Sequence, residues 1–180
     1  PSYMISLSIG QGELMITPIQ MANLATILAN RGYYITPHIV RSINDSTSSQ
    51  IEKHVIPIAR KHFDPIVEGM QMVIKGGTGR RAQVDSIAIA GKTGTVQNPH
   101  GDDHSVFIAF APVENPKIAL IVYVENGVWG SRYAAPIAGL LIEKYLKGKI
   151  SDRKKPLEKE MFQGSLIHNT TSKVKETSNE

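Results

Sequence analysis

The chain has 180 residues, of which 41% are hydrophobic and 20% are charged, a balance that fits one soluble domain and excludes a chain that is disordered throughout. The net charge is +4, but residues 147–180 hold eight Lys and Arg against five Asp and Glu, an excess of three, whereas residues 1–146 hold twelve against eleven, an excess of one. The nearly neutral body argues against a nucleic-acid partner. The absence of Cys excludes disulfides and a cysteine nucleophile. No apolar run approaches the roughly 18 residues that span a bilayer.

The start of the chain has the composition of an internal boundary. Position 1 is Pro, and no basic segment leads into an apolar one. We therefore expect the chain to be a fragment of a longer protein, with any membrane anchor outside it.

Two helices are predicted in the first half. Thr17-Pro18-Ile19-Gln20 combines the residues of a capping box with a Pro in the first turn, and Gly32 marks the helix end. Asp64-Pro65 repeats the opening, and the apolar stripe that follows ends at Gly76-Gly77. Residues 34–40 between them are expected to be extended.

The periodicity then changes to that of strands. The apolar runs Ile87–Gly91, His104–Ala111 and Lys117–Val124 are separated by segments rich in Asn, Pro and Gly, which predicts three antiparallel strands in a meander. Ser131 is predicted to open a last helix, whose apolar positions recur at helical spacing.

The helical pattern ends at Gly148. We place the boundary of the folded unit at residue 150 and expect residues 151–180, which are polar, to be mostly disordered apart from a short turn around Leu157 to Phe162.

Gly91-Lys92-Thr93-Gly94-Thr95 is the segment with the most chemical information. A phosphate-binding P-loop needs a Gly five positions before its second Gly, where Ser86 stands, and a helix directly after the Lys-Thr, which Gly94 and Pro99 prevent. The alternative is a Lys-Thr-Gly triad on a strand that lines an acyl-transfer site. There the Lys supplies positive charge, the Thr hydroxyls hold a substrate carboxylate, and the Gly leaves room for the substrate.

The neighbours of this triad make it specific, since the same order and gaps occur together in one family. The chain resembles class B penicillin-binding proteins over roughly residues 3–147, and within them the penicillin-binding protein 2 subfamily of elongation transpeptidases. The resemblance rests on Ser8-Ile9-Gly10-Gln11-Gly12-Glu13, Thr17 to Ala22, Arg31-Gly32, Thr36-Pro37-His38, Gly69-Met70, Gly91 to Thr95, Phe107 to Pro112, Val124-Glu125-Asn126-Gly127 and Ala134 to Ala138.

The resemblance implies an α+β fold of the penicillin-binding-protein and serine β-lactamase type, with residues 1–150 as the C-terminal portion of a transpeptidase domain. The implied activity is that of a peptidoglycan D,D-transpeptidase in cell-wall synthesis and cell shape, a target of β-lactam antibiotics. Its implied partners are peptidoglycan stem peptides, β-lactams and proteins of the cell-elongation machinery, with no cofactor and no metal. The implied location is the periplasm, anchored in the inner membrane.

The family's site residues map onto the triad strand. Lys92 and Thr95 are the catalytic candidates: Lys92 would supply positive potential, and the Thr95 backbone N–H would donate to the oxyanion. The hydroxyls of Thr93 and Thr95 would bind the substrate carboxylate, and Gly94 would keep the strand face open.

Trp129 and Arg132 lie in the loop before the last helix, which faces the cleft in this family. Both are candidates for substrate contact, and the alternative is a simple packing or capping role. His100-Gly101-Asp102-Asp103-His104 has metal-ligand residue types, but its composition is that of a turn, and no further His or carboxylate is spaced to complete a metal site.

The family's Ser-x-x-Lys and Ser-x-Asn motifs lie upstream of the Gly-x-Gly-Glu segment and are absent there, so this chain alone is predicted to be inactive. Ser151 to Lys154 and Ser172 to Lys175 match the first motif and Ser42-Ile43-Asn44 the second, but all three lie in polar segments on the wrong side in sequence order. The open alternatives are a non-catalytic penicillin-binding or peptidoglycan-binding module, and a penicillin sensor or β-lactamase of the same fold.

Overall fold

The structure, a computed structural model, describes residues 2–11, 14–40, 42–43, 46–47 and 52–166. In chain order its helices and strands are α1 (Ser2–Ser8), α2 (Pro18–Asn30), β1 (Tyr33–Ile35), β2 (Ser42–Ile43), β3 (Ser46–Thr47), β4 (Lys53–Val55), α3 (Asp64–Lys75), β5 (Ala90–Val96), β6 (His104–Ala111), β7 (Ile118–Val124), α4 (Ala134–Lys147) and α5 (Lys155–Gln163). Short 3-10 turns span Arg60–His62, Arg80–Ala82 and Asp152–Lys154.

The predicted meander is present as an antiparallel sheet in the order β5-β6-β7. Its first strand begins three residues later than expected, at Ala90 instead of Ile87. The reason is a tight turn: Ser86 has a positive φ of 62°, and Val84 and Ile87 form an isolated bridge. The strand therefore contains the whole Gly91 to Thr95 segment.

The strand β6 is buried on both faces, which explains its continuous apolar run. Phe107 faces α4 together with Ala109 and Val122, and Phe110 faces the other side with Leu28 of α2 and Val67 of α3. Both phenylalanines are fully buried. The sheet is thus a middle layer between α4 on one side and α2 with α3 on the other.

The helix openings follow the predicted signals with small shifts. The Thr17 N–H donates to Gln20 Oε1 at 2.8 Å, which is one half of the predicted capping box. Asp64 is the first residue of α3 and not its cap, because Phe63 takes the capping position. The last helix begins at Ala134 and not at Ser131, because the Ala134 N–H is bonded to a side chain of the sheet, the Ser105 hydroxyl, at 3.1 Å.

The segment predicted to be extended, residues 34–40, overlaps one short strand. Only Tyr33–Ile35 forms a strand, paired with β4, and β2 pairs with β3 in a short hairpin. Asn44 of the Ser42-Ile43-Asn44 match lies outside the described residues. Within the described ranges, no helix is long and apolar enough to cross a membrane.

The C-terminal segment differs from the expectation of disorder beyond residue 150. Residues 152–163 form a 3-10 turn and α5, with the side chain of Lys154 buried. The prediction of disorder rested on polar composition alone. It was wrong because the contacts that order this segment come from residues far away in the chain, such as Asp85 and Arg81. Residues 167–180, including the Ser172 to Lys175 match, lie outside the described residues, and the domain boundary at 150 stays a prediction.

Candidate active site

The triad strand β5 lies at the edge of the sheet, with β6 on its inner side. The register pairs Lys92 with Ile108, Thr93 with Phe107 and Thr95 with Ser105. No other strand of the described residues pairs with its outer side. An extended peptide could therefore lie along that side.

The direction of the backbone groups along β5 follows from the close approach of Gly130. A methyl group added to Gly130 would lie 2.5 Å from the Val106 carbonyl oxygen and 2.7 Å from the Gly94 carbonyl oxygen. Both oxygens must then lie between β5 and β6, which makes Gly94 and Val106 a hydrogen-bonded pair. Because such pairs alternate with non-hydrogen-bonded ones, the N–H and C=O groups of Thr93 and Thr95 point to the open edge.

The segment before α2 reaches this edge. Gln11 Nε2 donates to the Thr95 carbonyl oxygen at 2.8 Å, which agrees with an outward-facing Thr95 backbone. The flanking Gly12 and Glu13 lie outside the described residues. A cleft of about 650 Å³ runs along the edge, and its lining residues are Ile9, Gly10, Gln11, Met21, Thr78, Lys92, Thr93, Gly94, Thr95, Val96, Val106, Trp129, Gly130 and Ser131.

Lys92 alone carries a charge among the described residues that line the cleft. Its side chain is exposed, and its Nζ donates to the neighbouring Thr93 carbonyl oxygen at 2.7 Å. A single ammonium group over an edge strand gives the cleft a positive potential, which suits a substrate with a carboxylate.

Thr93 has a hydroxyl partner that the sequence analysis did not identify. The Thr78 and Thr93 hydroxyl oxygens lie 2.6 Å apart, so the two side chains form a hydrogen-bonded pair at the cleft wall. Thr78 lies just before the 3-10 turn at Arg80–Ala82, fifteen residues from Thr93 in sequence. Its sequence context, Gly-Gly-Thr-Gly, indicates only a flexible connection, so the pairing could be seen only in the fold.

Gly94 faces the cleft without being required by the protein's own packing. A methyl group there would lie 3.5 Å from Val106 Cβ, an ordinary contact. Gly91 is different, since a methyl group would lie 2.5 Å from Phe107 Cζ in the core. Any requirement for Gly at position 94 must therefore come from a bound molecule or from a part of the protein beyond these residues.

The opposite wall of the cleft is the loop between β7 and α4. Trp129 is 65% exposed, and its carbonyl oxygen accepts a hydrogen bond from the Ser105 hydroxyl at 2.8 Å. Val128, just before it, has a positive φ of 62°, a conformation that is disfavoured for a β-branched residue. The loop thus presents the Trp129 side chain from a constrained backbone.

Arg132 does not line the cleft. Its guanidinium lies over the Tyr133 ring, 5.4 Å from the ring centroid, and its carbonyl oxygen accepts a hydrogen bond from Arg81 Nη1 at 3.0 Å. The structure therefore brings together Lys92, Thr93, Gly94, Thr95 and Trp129, and places the Arg132 side chain apart from them.

The chain is similar to penicillin-binding proteins in both sequence and structure. Residues 2–143 match the family model of the penicillin binding protein transpeptidase domain. Peptidoglycan D,D-transpeptidase MrdA of Haemophilus influenzae is 34% identical, and the match covers 81% of this chain and 26% of that protein. The crystal structure of Pseudomonas aeruginosa PBP2 in complex with WCK 5153 superimposes with a TM-score of 0.72 at 36% identity, covering 86% of this chain and 35% of that one.

A further solved structure is similar at comparable identity. It is the imipenem acyl-enzyme complex of penicillin-binding protein A from M. tuberculosis, with a TM-score of 0.68 and 31% identity over 78% of this chain and 33% of that one.

The chain therefore belongs to the penicillin-binding protein transpeptidase domain family. This confirms the expected family and its α+β fold, and the similarity to MrdA and PBP2 confirms the predicted resemblance to the penicillin-binding protein 2 subfamily. The chain spans about a quarter of the length of MrdA and about a third of each matched solved chain.

Proposed function

We propose that this chain supplies the triad-strand side of the active site of a peptidoglycan D,D-transpeptidase that works through a serine acyl-enzyme. The observation that supports this most directly is the edge strand itself. It presents one ammonium group, the Thr93 hydroxyl in its pair with Thr78, and outward-facing backbone groups of Thr93 and Thr95 to a single cleft.

The chemistry requires a nucleophilic Ser from another part of the transpeptidase domain. Its Oγ attacks the carbonyl carbon of the penultimate D-Ala of a stem peptide, and the terminal D-Ala leaves with a proton on its amine. An amine of a second stem peptide then attacks the acyl-enzyme, forms the cross-linking amide and returns the Ser.

The residues of β5 have separate roles in this scheme. The Lys92 ammonium attracts the terminal carboxylate of the substrate, and the Thr93 and Thr95 hydroxyls donate hydrogen bonds to it. The Thr95 N–H, which points to the open edge, donates to the oxyanion. Removing one such donor costs typically about 3 kcal/mol of transition-state stabilisation.

Trp129 and Arg132 have different places in the proposal. The exposed Trp129 ring is a surface against which a stem peptide can pack. Arg132 contacts substrate in this proposal only when its guanidinium leaves the Tyr133 ring.

The wider setting follows from the substrate. Stem peptides are cross-linked outside the cytoplasmic membrane, so the proposal places the catalytic domain in the periplasm, with an inner-membrane anchor elsewhere in the protein. The likeness to the penicillin-binding protein 2 subfamily supports a role in cell shape with partners from the elongation machinery. β-Lactams are proposed as inhibitors because penicillin-binding protein A, a relative, forms an acyl-enzyme with imipenem.

The test is an exchange assay with the full-length protein, a pentapeptide ending in D-Ala-D-Ala and an acceptor amine. We expect release of D-Ala together with formation of the new amide, both blocked by prior treatment with penicillin. Binding of penicillin without a covalent adduct would favour the non-catalytic module. Rapid hydrolysis of penicillin without amide formation would favour a β-lactamase.

A further inference from the structure

Residues 129–132 form one wall segment, whose first three residues line the cleft, and this wall needs to be held in place from outside the cleft. Gly130 lies against the backbone of β5 so closely that a methyl group would meet the Gly94 carbonyl oxygen at 2.7 Å. Val128, directly before this wall, has a φ of 62°. Such a conformation persists only where the surroundings fix it. A small shift of this wall would change the width of the cleft next to Gly94.

Arg81 connects this wall to the C-terminal helix. Its Nη1 donates to the Arg132 carbonyl oxygen at 3.0 Å, and its Nη2 lies 2.7 and 2.9 Å from the two carboxylate oxygens of Glu160 in α5. Arg81 also lies in the 3-10 turn that follows Thr78, the partner of Thr93. One guanidinium therefore joins the segments on both sides of the cleft to α5.

The exposure of this ion pair argues against a purely stabilising role. The Arg81 and Glu160 side chains are 39% and 55% exposed, and ion pairs in such positions contribute little to the free energy of unfolding. Their geometric effect is larger, because a guanidinium fixed by a carboxylate presents its remaining N–H groups in a set direction. Here that direction leads to the Arg132 carbonyl oxygen.

The helix α5 is itself attached at both ends. Before it, Lys154 is buried, and Arg153 Nη2 lies 2.7 Å from Asp85 Oδ1. After it, Gly164 packs against the Tyr133 ring, where a methyl group would lie 3.3 Å from Cε1. The helix therefore has a fixed position from which Glu160 can orient Arg81.

We propose that Arg81 and Glu160 are positioning residues that hold the 129–132 wall against the triad strand, so that the C-terminal segment 152–164 is part of the active-site architecture. This inference rests on the proposed function for its effect on acylation. Neither residue touches the substrate, and both act through the Arg132 carbonyl group.

The test uses the full-length protein and two readouts. The first is the second-order rate constant of acylation by a fluorescent penicillin, and the second is amide hydrogen exchange of peptides that cover residues 126–133. Glu160→Gln removes the charge with little change in size. The matched control is Glu158→Gln, which removes the pair with Lys155 (2.8 Å) from the same helix without touching Arg81.

We expect Glu160→Gln to slow acylation about tenfold, since misplacement of groups near the reacting atoms is costly. The same variant should speed amide hydrogen exchange in residues 129–132. Glu158→Gln should match the wild type in both measurements. The charge reversal Arg81→Glu with Glu160→Arg restores an ion pair but leaves the Arg132 carbonyl group without its donor, so acylation stays slow. The inference would be overturned by a wild-type acylation rate in Glu160→Gln or in the reversed double variant, or by an equal loss in Glu158→Gln.

If the wild type forms no adduct, the proposed function fails, and the hydrogen-exchange data alone then decide the positioning role. Faster exchange only in Glu160→Gln supports that role, and unchanged exchange overturns it.

Discussion

At the scale of single residues, the candidate site contains both exposed and tightly enclosed positions. Lys92 stands exposed on an edge strand and contributes little buried area, whereas Gly130 is enclosed by backbone. Substitutions at the two positions should therefore have opposite signatures. One should affect the reaction and leave the fold intact, and the other should disturb the structure of the cleft itself.

Replacing Lys92 tests the electrostatic role. In the full-length protein, Lys92→Ala should lower the acylation rate about a hundredfold, a loss of the size seen when a preorganised charge is removed from a reacting centre. The melting temperature should change by less than about 2 °C, since an exposed side chain is lost. Lys117→Ala, at an exposed lysine next to β7, is the control. A normal acylation rate, or a large fall in melting temperature, would remove Lys92 from the site.

Gly130 and Gly69 form a matched pair for the packing argument. Gly130→Ala places a methyl group 2.5 Å from a backbone oxygen, so the wall must move, and a cost of about 1 to 3 kcal/mol is expected. Gly69, inside α3, has nothing within 4 Å of the added group. Gly69→Ala should stabilise by about 0.5 to 1 kcal/mol through helix propensity. Thermal melts of the two variants should therefore shift in opposite directions, and equal shifts would contradict the close approach of Gly130 to β5.

At the scale of elements, the sequence predicted what depends on local chemistry. Thr17 with Gln20, and Pro65, located the starts of α2 and α3 because caps and Pro act within one turn. The start of β5 was misplaced because a non-Gly residue, Ser86, makes the turn. The helix α5 was predicted only as a short turn around Leu157 to Phe162, because Glu160 pairs with a residue 79 positions away and no local pattern reports such a contact.

The candidate site shows the same division. The triad residues and Trp129 could be identified by their motifs, because the motifs are contiguous in sequence. Thr78 and the bridging role of Arg81 could not, since each depends on which segments the fold brings together. Arg132 was expected in the cleft from its position in the loop, but stacking on Tyr133 directs its side chain elsewhere.

The attachment of the C-terminal segment has a predictable pH dependence. Burial lowers the pKa of Lys154 from its ordinary value of 10.5, against a smaller opposing effect of the Glu143 carboxylate. Between the lowered folded-state pKa and about 10.5, the unfolded chain binds more protons than the folded one, so stability rises with pH. This stability is fully present above about 10.5 and is lost as the pH falls through the folded-state pKa.

Lys154→Met removes that titration while keeping a side chain of similar size. We expect the melting temperature of the wild type, relative to Lys154→Met, to increase as the pH is raised from 7 toward 10.5. The exposed Lys159 of α5 provides the control variant, Lys159→Met. If the melting temperature of the wild type relative to Lys154→Met fell as the pH rises, that result would contradict the buried state of Lys154.

At the scale of the whole molecule, the chain leaves apolar surface uncovered along its first twenty residues. Met4, Ile5, Ile9 and Met15 are 63%, 66%, 72% and 93% exposed. These residues flank the segment that reaches the open edge of β5 through Gln11. At about 25 cal/mol per Å² of apolar surface, a few hundred Å² left in water forfeits several kcal/mol, a large share of a domain's net stability.

We therefore expect the 180-residue chain, expressed alone, to associate or to pack incompletely. Sedimentation should show concentration-dependent association, and thermal unfolding should be broad. A monomer that melts cooperatively above about 50 °C, within the usual range for intact domains, would show that the 180-residue chain is self-sufficient and that the exposed N-terminal surface needs no cover.

The central claim is that this chain forms one side of an acyl-transfer site whose nucleophile lies elsewhere in the protein. The most direct measurement is to treat the full-length protein with penicillin and to locate the modified residue by peptide mass spectrometry. The account predicts one penicilloyl adduct, on a Ser outside residues 1–180, formed much more slowly in Lys92→Ala. An adduct on Ser151, on Ser172 or on any other Ser of this chain would contradict it, as would the absence of any adduct.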